Sequence, residues 1–322
     1  AYLQHNIPFE KWNFAAGLRI ENMDKDLSLK DKTGQLDENY SLNFIKLFPS
    51  ASIQYQLKEN LSISLAYSKR IERTTTFKMN PFPEREHSET LEQGDPNLHP
   101  ELIDQVEFGI NKKTKKGNSR FFRIYYRSVK DLINRVNTVY NDTILNRIYS
   151  NVGNAKVIGR ENGGEYNLGK KLKIFYSTSF YYYIIKGSFD DHIINTDDYV
   201  YSLNLNSTYN FSNSSFVQLN FNYLSNKITA QGKDSEYYSP NLILVRRFWD
   251  NQLTVSLQWK NIDMGLMNSN EQRITTQREG DFYTTTNYVY EVDMILLSLS
   301  YNFKNRKNTT KFIESEFGKR EF

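Results

Sequence analysis

Residues 201–211 read YSLNLNSTYNF, in which Tyr201, Leu203, Leu205, Tyr209 and Phe211 alternate with Ser202, Asn204, Asn206, Thr208 and Asn210. A period of two is the signature of a strand with one apolar and one polar face. The same alternation carries Leu61, Ile63, Leu65 and Tyr67, then Val217, Leu219, Phe221 and Tyr223. It returns at Leu253, Val255, Leu257 and Trp259, and again from Ile295 through Leu297, Leu299 and Tyr301 to Phe303. About twelve segments follow this rule. Their cores lie near 12–24, 43–57, 61–72, 101–113, 119–131, 146–168, 172–186, 199–211, 215–228, 237–249, 252–262 and 287–303. Most run about ten to sixteen residues, against five or six for an ordinary globular strand.

The connections alternate too. Short turns fall at 58–60, 113–118, 169–171, 212–214 and 249–251, and long polar connections at 25–42, 73–100, 132–145, 187–198, 229–236 and 263–286. Strands of about ten residues suffice to cross a bilayer when tilted. Tight turns at one end and long loops at the other are the pattern of an outer-membrane barrel. A closed barrel pairs every backbone N–H and C=O without water. The expected fold is therefore all-β, an antiparallel transmembrane β-barrel of about 12 long strands. Its aliphatic, Tyr and Phe face meets lipid, and its Ser, Asn, Thr, Gln and charged face lines the lumen. FYYYII at 180–185 is a candidate aromatic girdle. A soluble sandwich or a propeller fits less well, and no repeat of about 40–50 residues recurs.

Composition adds constraints. The 322 residues hold 41 Lys and Arg against 37 Asp and Glu, a net charge of +4 that gives no reason to expect nucleic acid. There is no cysteine, which excludes disulfides, thiolate metal sites and a cysteine nucleophile. Aromatic content is high at 15%, with 23 Tyr and 21 Phe. No apolar run approaches the ~18–20 residues of a transmembrane helix. The start, AYLQHNIPFEKWNFAAG, lacks the basic and apolar regions of a signal peptide and reads as a processed or truncated start.

The long connection PFPEREHSETLEQGDPNLHPE, 81–101, gathers His87, His99, Glu84, Glu86, Glu89 and Glu92. Their spacing matches neither a zinc nor a calcium motif, so no metal or cofactor is expected. GDPN at 94–97 is turn chemistry. No G-x-S-x-G elbow, P-loop or G-x-G-x-x-G is present, and His5, His87, His99 and His192 are far apart. The expectation is that the chain is not an enzyme. Arg123, Arg127 and Lys130 read as sharing one face of RFFRIYYRSVKD, either as lumen-lining charge or as an anion-steering stripe.

Six short runs also carry a resemblance: Phe48-Pro49-Ser50, Tyr67-Ser68-Lys69-Arg70, Asn80-Pro81-Phe82, the stretch Gly94, Asp95, Pro96, Asn97, Leu98, His99, Pro100 and Glu101, then Asn151 to Ala155, and Gly159-Arg160-Glu161. In order and spacing they resemble the C-terminal barrel of TonB-dependent outer-membrane receptors, in the branch called the outer membrane protein beta-barrel family. Asp95 and Arg73-Thr74 depart from the family's usual residues. The resemblance implies the C-terminal part of a 22-strand barrel at 1–303, followed by a basic periplasmic tail at 304–322. It implies outer-membrane localisation in a Gram-negative cell with a periplasmic C-terminus, and uptake of a siderophore, cobalamin, glycan or peptide. TonB would act through a plug domain that this chain lacks, with a surface lipoprotein as a further partner. Tyr237, Tyr238, Phe282 and Tyr283 are the expected ligand contacts, because aromatic planes stack on sugars and chelates. Two rivals are a self-contained 12-strand passive channel, which requires segment 12–24 to pair with 287–303, and an outer-membrane rim enzyme.

Overall fold

The computed structural model describes residues 1–30, 37–87, 90–114, 117–141, 144–266 and 271–303. In chain order the first elements are β1 (Tyr2–Phe9), β2 (Trp12–Lys30), β3 (Asp37–Lys58), β4 (Leu61–Glu72), one short helix α1 (Thr76–Met79), β5 (Glu84–His87) and β6 (Thr90–Gln93). Next come β7 (Glu101–Lys113), β8 (Ser119–Lys130), β9 (Ile133–Asn141), β10 (Ile144–Asn151), β11 (Asn154–Leu168), β12 (Leu172–Phe189) and β13 (His192–Ser212). The remainder are β14 (Ser215–Leu224), β15 (Lys227–Thr229), β16 (Gly232–Asp234), β17 (Tyr237–Phe248), β18 (Leu253–Lys260), β19 (Glu271–Arg278), β20 (Phe282–Val289) and β21 (Met294–Tyr301).

Thirteen of these strands form one antiparallel wall in the order β1-β2-β3-β4-β7-β8-β11-β12-β13-β14-β17-β18-β21. The register explains the period of two. One ladder row reads Ala51, Tyr67, Val106, Tyr126, Ile158, Tyr182 and Tyr199 across the wall. The row of opposite parity reads Ser64, Gly109, Arg123, Glu161, Ser179 and Ser202. Apolar side chains on the first face stay exposed, such as Ile124 and Ile158, as a lipid-facing surface requires.

The wall has one strand more than the alternation suggests. In β1 the pattern is broken by His5 and Pro8; β1 pairs only with β2, and proline is tolerated on such an edge. The pairing required by the twelve-strand channel is absent. Segment 12–24 lies in β2 between β1 and β3, and β21 pairs with β18 alone.

The long connections are also more structured than their polarity implies. β2 and β3 stay paired out to Lys30 and Asp37, and β12 and β13 to Phe189 and His192. The turn there is Asp190-Asp191, both at positive φ (51° and 64°), as a two-residue hairpin with right-handed twist demands. Residues 84–93 and 133–151 build a second sheet, β5-β6-β10-β9, and 227–234 with 271–289 build a third, β15-β16-β19-β20, so the starts of the expected segments 146–168 and 287–303 lie in these sheets and not in the wall. Both insert at the long-connection end.

That end holds the core. Tyr125, Val129, Val157, Tyr183, Ile185 and Val200 all face inward from the wall and are buried. Val136 of β9 and Ile228 of β15 pack on them. The inner face of the wall is thus polar toward the short turns and apolar where the inserted sheets cover it. Burial of apolar area against the wall is what holds these sheets down.

The tail 304–322, Glu89 and the side chains of Glu86 and His87 lie outside the described residues.

Candidate functional site

The motif residues form a joint at the base of the second sheet. α1 is capped by Thr75, whose hydroxyl accepts from Lys78 N–H at 3.4 Å. Asn80 then turns the chain: its Oδ1 accepts from Phe82 N–H and its Nδ2 donates to Glu84. Pro81 and Phe82 follow, Phe82 exposed. Gly94 N–H donates to Asn80 O and Asp95 N–H to Lys78 O. A Cβ on Gly94 would stand 2.5 Å from both Asn80 N and Lys78 O, so only glycine fits. Asp95 Oδ1 accepts from Asn97 N–H at 2.8 Å across Pro96, an Asx turn that leads Leu98 and Pro100 inward. Glu101 Oε1 accepts from Ile133 N–H at 2.6 Å. Asn151 accepts from His99 N–H and donates to the carbonyls of His99 and Asp131. Gly159 lies beneath the Tyr125 ring, where a Cβ would be 2.6 Å from it. Glu161 faces Arg123 at 4.0 Å. Asn80, Gly94, His99, Glu101 and Asn151 thus link the stretch 78–101 to the residues around 131–133 and 151, while Gly159 and Glu161 stand on wall strand β11.

The charged stripe is revised. Arg123 and Arg127 do face the lumen, Arg123 3.5 Å from Glu107 and Arg127 hydrogen-bonded to Gln105. Lys130 has the parity of Tyr126 and Ser128 and therefore points to the opposite face.

Two cavities flank the third sheet. The first, about 220 Å³, lies between the second and third sheets, over the Tyr183 ring. Arg135, Arg147, Lys227 and Asp234 line it, with Asn137 and Thr276 between them. The Lys227 ammonium sits 5.6 Å above the Tyr183 ring, and Arg147 reaches Thr286 of β20 at 3.4 Å. Burial pushes the Asp234 carboxyl above the ordinary value, opposed by Lys227 and Arg135. In the second sheet, burial and the nearby Glu92 carboxylate raise the Tyr149 phenol. The two sheets are joined at Gln231: its Oε1 accepts from Asn137 N–H at 2.7 Å and its Nε2 donates to Asn137 O at 3.2 Å.

The second cavity, about 660 Å³, lies on the opposite face of the third sheet. Lys233, Arg273, Thr275, Gln277 and Tyr283 line it. Strand parity puts 273, 275 and 277 on one face of β19 and 274 and 276 on the other, which separates the two cavities.

Of the four expected aromatic contacts, Tyr283 is 70% exposed and lines the second cavity. Phe282, 6.0 Å from the Arg278 guanidinium, lines with Tyr283 a further cavity of about 400 Å³ at the β19–β20 tip, beside Glu279 and Asp281. Tyr237 packs on Tyr290 at 5.5 Å. Tyr238 is buried: it is stacked on Phe221, and its hydroxyl donates to Leu266 O, which closes it off from a ligand in this structure. The cations of both cavities were not singled out in the sequence. They sit in short strands with few apolar residues, and only sheet parity sorts them. Among the described residues no three His, Asp or Glu side chains converge as a metal site.

The model of the outer membrane protein beta-barrel family matches residues 1–301. The chain belongs to that family. It is an outer-membrane β-barrel protein, and the lipid-facing and lumen-facing rows above are the two faces of its barrel wall. None of the curated proteins matches it in sequence. Among solved structures it is similar to the siderophore receptor PiuA from Acinetobacter baumannii (TM-score 0.62, 15% identity, 92% of this chain and 42% of that one). It is also similar to the siderophore receptor PirA from Pseudomonas aeruginosa (0.55, 17%, 89% and 48%). A third is the FrpB iron transporter from Neisseria meningitidis (0.56, 14%, 92% and 44%). The chain therefore spans less than half the length of these receptors, and at such identities the likeness is one of fold.

Proposed function

We propose that this family member supplies barrel wall and external rim to an active receptor that takes a ligand from the medium to the periplasm. The observation that carries the reading is the pair of inserted sheets. Both arise from the long-connection end, pack onto the inner face of the wall and leave polar cavities there. In an outer-membrane barrel the long connections are the external ones. A ligand arriving from outside meets these cavities first, before the polar lumen below them. The short turns, and with them the C-terminus, then lie in the periplasm. Energy comes from TonB acting on a plug held inside the barrel, and the ligand is a siderophore, cobalamin, glycan or peptide. A surface lipoprotein would add a lid. The barrel performs no covalent chemistry.

The test is uptake by cells expressing the full-length gene, with and without a working TonB system. Loss of uptake without TonB, and on deletion of residues 227–236, is the expected result. Uptake that persists without TonB would overturn active transport and leave a passive channel.

A further inference from the structure

The cavity beside Tyr283 has a lining that narrows the ligand. Beside the apolar Ile228 and Ala230 and the already hydrogen-bonded Asn226 and Ser235, the lining offers three sets of groups to a ligand. Thr196, Thr229, Thr275 and Gln277 bring neutral hydrogen-bonding side chains, none with a side-chain partner among the described residues. Tyr283 offers a largely free ring face. Lys233 and Arg273 bring positive charge; Lys233 has no ion pair among the described residues, and Arg273 has only Glu271, at 3.5 Å. No carboxylate is among the lining residues. At about 660 Å³ the cavity is of the size that takes small ligands.

Each set selects a group. Unpaired hydroxyls and an amide, held on neighbouring strands, match a ligand rich in hydroxyls. An exposed tyrosine ring matches an apolar patch such as the C–H face of a pyranose. Two cations without a lining carboxylate match an anionic group, by charge-assisted hydrogen bonds. A purely anionic chelate would use the cations and leave the four neutral groups idle. A neutral sugar would use the neutral groups and leave Lys233 unmatched. We propose that this face of the third sheet binds an acidic oligosaccharide, with a sugar ring on Tyr283, its hydroxyls on Thr275 and Gln277, and its carboxylate on Lys233 and Arg273.

The proposal rests on the receptor reading only in taking this end of the barrel to face the medium. The test is calorimetry on the full-length protein in detergent, with tetragalacturonate, maltotetraose and a ferric tris-catecholate as probes. Tetragalacturonate should bind, more weakly as salt rises. Lys233→Gln and Tyr283→Ala should each weaken it about tenfold or more. Both positions are on the surface of the sheet, and retained heat-modifiable mobility on gels checks that each variant is folded. Equal binding of maltotetraose would overturn the acidic class. Binding of the chelate alone, no tetragalacturonate binding, or binding indifferent to both variants would overturn the site. Failure here is separable from failure of the receptor reading. TonB-dependent uptake without tetragalacturonate binding sinks only this proposal. Binding at Lys233 and Tyr283 with TonB-independent entry sinks only the other.

Discussion

Gln231 is where the architecture makes its sharpest prediction. β9 pairs with β10 on one side, and Asn137 stands opposite Arg147 in that ladder. The N–H and C=O of Asn137 point the other way, toward the free edge of β9, and the Gln231 side chain takes both. A side-chain amide thus replaces a neighbouring strand. Asn137 is only 3% exposed, so water does not readily take over when the amide is removed. Leaving a buried backbone donor and acceptor unpaired costs about 1–3 kcal/mol each. Gln231→Ala should therefore destabilise the junction of the two sheets by about 2–6 kcal/mol. At 1.36 kcal/mol per tenfold, the Asn137 amide should exchange with solvent about 30-fold faster or more. Gln231→Glu keeps the acceptor and loses the donor, and should fall between. Hydrogen exchange followed by mass spectrometry on the detergent-solubilised protein reads this directly. Unchanged protection at 133–141 in Gln231→Ala would refute the argument that this amide holds the sheets together.

Four further outcomes follow from the same geometry. Gly94→Ala forces a Cβ against the backbone of Lys78 and Asn80 and should lower stability by about 1–3 kcal/mol, read as a lower thermal midpoint. Asn151→Ala removes three hydrogen bonds that join His99 and Asp131, and should cost about 1–3 kcal/mol, with faster exchange of the His99 amide as its signature. The Asp234 carboxyl is raised by burial, so its charged form weighs against folding at neutral pH and that weight lifts as pH falls through its folded value. Asp234→Asn should accordingly be more stable than wild type at neutral pH, with the gap closing as pH drops toward the ordinary carboxylate range; a gap that widens would mean Lys227 and Arg135 outweigh burial. Arg278 lies between Phe189 and Phe282 and reaches Asp190 at 2.9 Å, which ties two hairpin tips. Arg278→Lys loses the planar stack and should make the tip at 190–191 about tenfold faster to exchange.

The wall was legible because its residues obey a single rule. Tyr199, Tyr201, Leu203 and Leu205 face lipid, and nothing but alternation is needed to place them. The inserted sheets were not legible for a physical reason. β9 and β15 each put only one residue, Val136 and Ile228, into the core, too few to set a period. The extensions of β2 and β12 read as polar connections because charged and small residues dominate them: Lys25, Asp26, Ser28 and Lys30, then Gly187 and Ser188. Yet Leu27, Leu29, Tyr40 and Leu42 keep the alternation. Lys130 shows the cost of reading charge without parity: three residues from Arg127 along a strand is the other face. Tyr283 reached a cavity and Tyr238 did not, because burial depends on what packs above a strand, which no local pattern carries.

The change of character along the inner wall bears on which parts of this end of the barrel move most easily. Near the short turns the lumen rows are Ser62, Asn111, Ser177 and Asn204, side chains that water or a plug can satisfy. Toward the long connections the same face becomes Val157, Tyr183, Ile185 and Val200, buried under the inserted sheets. Lifting those sheets exposes this surface, and at about 25 cal/mol per Å² even a few hundred Å² opposes it by several kcal/mol. A ligand held with a micromolar Kd brings about 8 kcal/mol in all, so lifting the sheets would consume a large share of its binding energy. The inserted sheets, packed on this surface, are therefore the costlier elements to move. The hairpin tips at 190–191 and 279–281 are held by less: an arginine, two phenylalanines and two aspartates. These contacts are few and both aspartates are exposed, so the tips open at a lower cost than the packed sheets.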